Sequence, residues 1–231
     1  MFKLEEQPFN CVHCGKAFMK EKTLFAHMCE PKRRAMQKNE KRVQSGFYTF
    51  NQFYKIKQGA KKQKTYEEFC KSAYYNAFVK FGSFLNNVNP LYPEKFVDFV
   101  IRSDVKLDHW CRDELYDTYL FEMLKLEPVE SAVQRTIQHM MEWGDNQNAN
   151  FAHYFLYVNL NRAVDDIRNG RVSPWLILNC KSGKDMLSKF SDEQMDIIAP
   201  ALDVGFWLKK FKSVPADVAL VKEICSEAGI E

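Results

Sequence analysis

From Thr65 almost to the last residue, apolar positions recur every three or four residues, the period of a helix buried along one face. Thr65-x-x-Glu68 is a capping-box pattern, and Phe69, Ala73, Ala77, Phe81 and Phe84 continue it as a helical stripe. Pro93 suits the first turn of a helix carrying Phe96, Phe99 and Ile101. Asp108 is a candidate cap for the next, with Leu115, Tyr119 and Leu120 inward. A fourth helix is expected from Pro128 to Gly144, with Val133, Ile137, Met140 and Met141, and a fifth from Asn150 to Gly170, with Phe151, Phe155, Val158, Ala163 and Ile167. Shorter helices are expected over 183–190, 192–199, 203–211 and 216–228. Strand patterns are scarce. Trp175-Leu176-Ile177-Leu178 fits a strand or a buried helical turn equally well.

The first thirty residues follow a different rule. They read Phe9-x-Cys11-x2-Cys14-x3-Phe18-x5-Leu24-x2-His27-Met28-Cys29. Three thiols and an imidazole at short spacing are the donors of a tetrahedral structural zinc site. Phe9, Phe18 and Leu24 stand where a miniature core must form, and so small a segment needs a metal to fold. The stretch resembles the two-Cys/two-His zinc finger, with Cys29 in place of the last histidine. The resemblance covers residues 9–29 and implies a ββα unit with zinc held by Cys11, Cys14, His27 and Cys29. One residue separates the last two ligands, where the family has three to five. Positions i and i+2 diverge on a helix, so the helix must stop or tighten at His27, and Pro31 is a candidate stop. His13 is expected to be exposed.

Charge then separates the chain into parts. Residues 31–67 hold eleven Lys or Arg against Glu40 and Glu67, a net +9, while residues 68–231 carry −6 and residues 1–30 balance. We read a zinc finger at 1–30, a basic helical connector at 31–64 and an all-α globular helical domain at 65–231; the fold class is mainly α. The finger resemblance places Lys20, Lys22, Thr23 and Ala26 towards bases in a major groove. Lysine can donate to guanine, and threonine can meet either a donor or a methyl group. One finger binds weakly alone. Lys32, Arg33, Arg34, Lys38, Lys41 and Arg42 could neutralise phosphates beside it. The aromatic run Phe47 to Tyr54, followed by lysines to Lys64, has the composition of a base-stacking platform, but its helical spacing favours a core face.

No apolar run approaches the roughly 18 residues of a membrane span, so no membrane partner is expected. The N-terminus lacks the pattern of a secretory signal. Seven cysteines without a disulfide framework point to an intracellular, reducing compartment: cytoplasm or nucleus, or host cytoplasm if viral. No catalytic residue is selected. Ser182-Gly183-Lys184 lacks the rest of a phosphate loop, His109-Trp110-Cys111 and His139-x-x-Glu142 have no matching second half, and Asp165-Asp166 beside Arg162 and Arg168 reads as an exposed ion-pair face. The expectation is a nucleic-acid-binding protein, duplex DNA ahead of RNA. Its acidic helical domain would recruit a protein partner in transcription, replication or recombination. The alternatives are a zinc-stabilised scaffold whose finger contacts protein, and a metal-dependent nucleic-acid-processing enzyme.

Overall fold

Two very short strands open the chain, β1 (Phe9–Asn10) and β2 (Ala17–Phe18), paired antiparallel with Phe9 opposite Phe18. This computed structural model describes residues 9–230. Helices account for 71% of the described residues, as the hydrophobic pattern predicts. The chain divides into two units. One comprises residues up to Asn89 together with Pro93–Cys111; the other comprises Pro90–Tyr92 and residues from Arg112 onward.

In the first unit the hairpin is followed by α1 (Glu21–Ala26), α2 (Glu30–Met36) and a 3-10 turn, Gln37–Asn39. Next come α3 (Lys41–Gln58), α4 (Tyr66–Lys71), α5 (Tyr75–Val88) and α6 (Pro93–Arg102). Gly46 does not interrupt α3. It lies where a Cβ would sit 2.7 Å from the Phe78 carbonyl oxygen on α5, and a Cβ on Gly82 would overlap the Arg42 carbonyl. The two glycines let α3 and α5 cross at backbone distance, as small residues at a helix crossing allow. Gly59 ends α3 in the left-handed conformation, φ 62°. α3 buries Val43, Gly46, Thr49 and Phe50, so only its outer face is solvated. Phe50 meets Phe69 and Phe78 at ring-centroid distances of 5.0 and 5.4 Å, and Trp110 closes the cluster against Phe81 at 5.3 Å.

The capping box at Thr65 forms as expected, but the stripe it opens is two helices. Ser72 leaves the helix in an extended conformation, and the chain restarts at Tyr75. Apolar period alone does not register such a break.

The second unit contains α7 (Asp113–Leu126), α8 (Val129–Gln147), α9 (Tyr154–Tyr157), α10 (Leu160–Arg168) and α11 (Pro174–Ile177). It ends with α12 (Lys181–Leu187), α13 (Asp192–Ile198), α14 (Val204–Ser213) and α15 (Pro215–Glu227). Asp108 lies in a 3-10 turn, and Arg112 stands at the cap of α7 instead. The expected fifth helix is broken at Val158. Asn159 starts α10 by accepting the N–H groups of Asn161 and Arg162. Trp175-Leu176-Ile177 is helical and buried. The core gathers Trp175, Trp207 and Phe211, with centroids 5.0–5.9 Å apart.

Asp166 corrects the expectation of an exposed ion-pair face. It is 5% exposed. Its carboxylate accepts from Tyr154 Oη at 2.7 Å and Arg162 Nε at 3.0 Å, and His139 Nε2 lies 3.0 Å away. Burial alone would raise its pKa, but His139, Tyr154 and Arg162 outweigh that and hold it below the ordinary value. Alternation of charge in sequence cannot show which of two neighbouring aspartates turns inward.

Candidate metal centre and its basic flank

The Cys11–Cys14 segment forms a tight loop between the two strands. The Cys11 N–H donates to the Lys16 carbonyl at 2.9 Å and the Gly15 N–H to the Cys11 carbonyl at 2.8 Å. Gly15 takes φ 73°, a conformation that only glycine adopts freely. Across from this loop, α1 ends at Ala26 and His27 leaves it extended, φ −69° and ψ 122°. The helix therefore stops where the ligand spacing demands. Pro31 does not stop it: Cys29 is the N-cap of α2 and Pro31 sits in that helix's first turn. An extended His27-Met28-Cys29 link is what brings two ligands separated by one residue to the same point.

Cys11, Cys14, His27 and Cys29 offer ligand atoms that all lie within 4.8 Å of one another, so the cluster could hold a metal ion. Cys11 and Cys29 Sγ are 3.9 Å apart, and Cys14 Sγ is 3.3 Å from His27 Nε2. The His27 ring packs on Phe18 at 4.8 Å, which fixes its plane. A backbone N–H at His13 lowers the Cys11 thiol. The Lys16 backbone N–H would lower Cys14 as well, but desolvation and the adjacent Cys11 and Cys29 sulfurs outweigh it and raise that thiol. Three sulfurs this close resist joint ionisation unless a cation joins them. His13 is exposed and outside the cluster.

The basic residues divide by environment. Lys20 stands at the N-cap of α1, with Lys22, Thr23 and Ala26 exposed on that helix. Lys32 is half-buried: its Nζ donates to the carbonyls of His27 at 3.1 Å and Phe25 at 3.4 Å, closing the end of α1. Arg34 faces inward. It donates to the Cys70 carbonyl, pairs with Glu30 and lies 4.4 Å from the Tyr75 ring centroid. Tyr66 Oη completes the joint by donating to the Arg34 carbonyl at 2.6 Å. Arg33, Lys38, Lys41 and Arg42 are exposed; Arg42 pairs with Glu40 at 2.8 Å.

Sequence reasoning missed the joint around Arg34, because a basic run gives no sign of which member packs. Two of the remaining single motifs pack against the chain itself. His139 pairs with Asp166, Gln138 donates to Glu142, and Ser182 and Gly183 are buried in the first turn of α12. Comparison with protein-family models, curated proteins and solved structures finds no match to this chain.

Proposed function

We propose that the protein binds nucleic acid, duplex DNA ahead of RNA, through a zinc-held finger and the exposed cations that follow it. Zinc fits the donor set. Metal–sulfur bonds of about 2.3 Å and metal–nitrogen bonds of about 2.0 Å give tetrahedral edges of roughly 3.5–3.8 Å. The 3.9 Å sulfur–sulfur and 3.3 Å sulfur–nitrogen separations bracket that range. Zinc in a four-ligand site carries no open position and acts by organising the fold. Free thiols throughout the described chain suit a reducing compartment.

The observation that carries the reading is the placement of Arg33, Lys38, Lys41 and Arg42, exposed along α2, the 3-10 turn and the start of α3 immediately after the metal ligands. Lys20 and Lys22 add positive charge on the finger helix. Arg34 and Lys32 stand apart from this set, since their head groups are engaged with the chain. The helical domain would serve a protein partner. Its open cleft of about 660 Å³, lined by Phe121, Met195 and Val204 with Asp117, Asp196 and Asp203, suits a basic segment with apolar anchors.

The test is binding of the zinc-loaded chain to a labelled duplex over a range of salt. Replacing Lys38, Lys41 and Arg42 together with Gln should flatten the log–log salt slope by about 0.9 for each phosphate no longer neutralised. An unchanged slope would overturn the reading. Phe25 favours the scaffold alternative: it is 84% exposed on α1, and Met28 is 56% exposed. Phe25→Ser separates the two, because it should abolish capture of a protein partner and leave duplex binding intact.

A further inference from the structure

The first unit contains an aromatic groove that the duplex reading does not use. At one end is a cavity of about 380 Å³, lined by Phe53, Tyr54, Tyr74, Phe78 and Trp110, with Lys57 and Asp104 paired at its wall. Next to it lies a shallower depression of about 340 Å³ lined by Tyr54, Lys64, Glu68, Lys71 and Tyr74. Tyr54 and Tyr74 line both, so the two hollows adjoin at these tyrosines. Tyr74 is 61% exposed, and Lys64 Nζ lies 5.4 Å from the Tyr54 ring centroid while pairing with Glu68 at 3.1 Å, an exposed pair that a phosphate would compete with. Between residues 55 and 71, six lysines stand against Glu67 and Glu68.

We infer that this groove binds single-stranded nucleic acid, taking an unpaired base at Tyr74 and its flanking phosphates on Lys64 and Lys71. Two observations and one general rule select this occupant. The cavity falls within the roughly 300–1,000 Å³ range of small-ligand sites and is walled by flat π surfaces. Lys57, Lys64 and Lys71 line the hollows against Asp104 and Glu68, and Lys71 is the cation left over to meet a polyanion. Aromatic stacking together with a basic track is how single strands are held without sequence preference. Bases inside a duplex are stacked on each other and cannot enter such a groove. The inference is independent of the metal centre and of the cations at 33–42, so either reading can fail alone.

The experiment uses the full zinc-loaded chain and fluorescence anisotropy. Its probes are a labelled oligothymidylate, a strand of the same length built of abasic units, and a labelled duplex. The oligothymidylate should bind about fivefold or more tightly than the abasic strand, the smallest effect expected of one stacked base. Tyr74→Ser, at an exposed position that does not threaten folding, should reduce the oligothymidylate to abasic affinity and leave the duplex unchanged. Lys64→Gln with Lys71→Gln should lower the salt slope for both strands. Equal affinity for the thymine-bearing and abasic strands, no effect of Tyr74→Ser, or equal competition by polyglutamate would each overturn the inference.

Discussion

The finger and the Asp166 region of the second unit each gather polar side chains at one point, by opposite means. In the finger, β1, β2 and α1 bury no large aromatic side chain: Phe9 is 40% exposed and Phe25 84%. Around Asp166 the polar groups complete one another, with Tyr154 and Arg162 donating and His139 adjacent, inside a shell that includes fully buried Tyr154 and Phe155. One region gathers four donor atoms that could hold a metal ion. The other contains its own counter-charges. Segment size accounts for the difference: about twenty residues cannot enclose an apolar core, whereas a domain exceeding a hundred can.

The sharpest way to break the comparison is to remove the proposed zinc. Cys14→Ser, or a strong chelator, should unfold residues 9–29, since zinc supplies about 10–16 kcal/mol to finger-sized peptides. Amide exchange should show loss of protection there, and residues 112–230 should keep theirs. Retention of the finger's protection would mean that it folds on its own packing.

Next in size is Asp166→Ala, expected to cost about 3–5 kcal/mol in urea unfolding because it strands the groups that the carboxylate unites. pH sharpens the same point. The folded pKa of Asp166 lies below the ordinary value of about 3.9. Its contribution is therefore fully present above that value and is lost as pH falls through the lower folded one. Asp166→Asn should remove that part of the acid destabilisation, measured as unfolding free energy between about pH 5 and pH 2.

Smaller again is Arg34→Gln, which removes the charged donor bridging α2 to the Cys70 carbonyl. A loss of about 1.5–3 kcal/mol is expected from thermal or urea melts of the intact chain. The smallest effect belongs to Arg42→Gln, which deletes an exposed pair with Glu40. It should change stability by less than about 1 kcal/mol while still reducing the salt dependence of duplex binding.

The ligand cluster, the cap at Thr65 and the approximate bounds of the last four helices were legible because they rest on local chemistry. Thr65 with Glu68 requires nothing from elsewhere in the chain. The breaks at Ser72 and Val158 were not legible, since the apolar rhythm runs through them and only packing decides where the backbone turns. Arg34 and Asp166 escaped for a related reason. Each sits in a run of charge whose members look alike until a partner distant in sequence, Cys70 or His139, singles one out. Pro31 was ambiguous in itself, because a proline that ends one helix equally well begins the next.

Cys29 is at once the last ligand of the cluster and the residue from which α2 springs. The ion would therefore act as a protractor, setting the angle at which every later side chain of that helix emerges. One residue inserted between Cys29 and Arg34 would swing those side chains by about 100°. The guanidinium would turn to water, and Arg33 or its neighbours would face the Tyr75 ring, with no donor atom of the cluster altered.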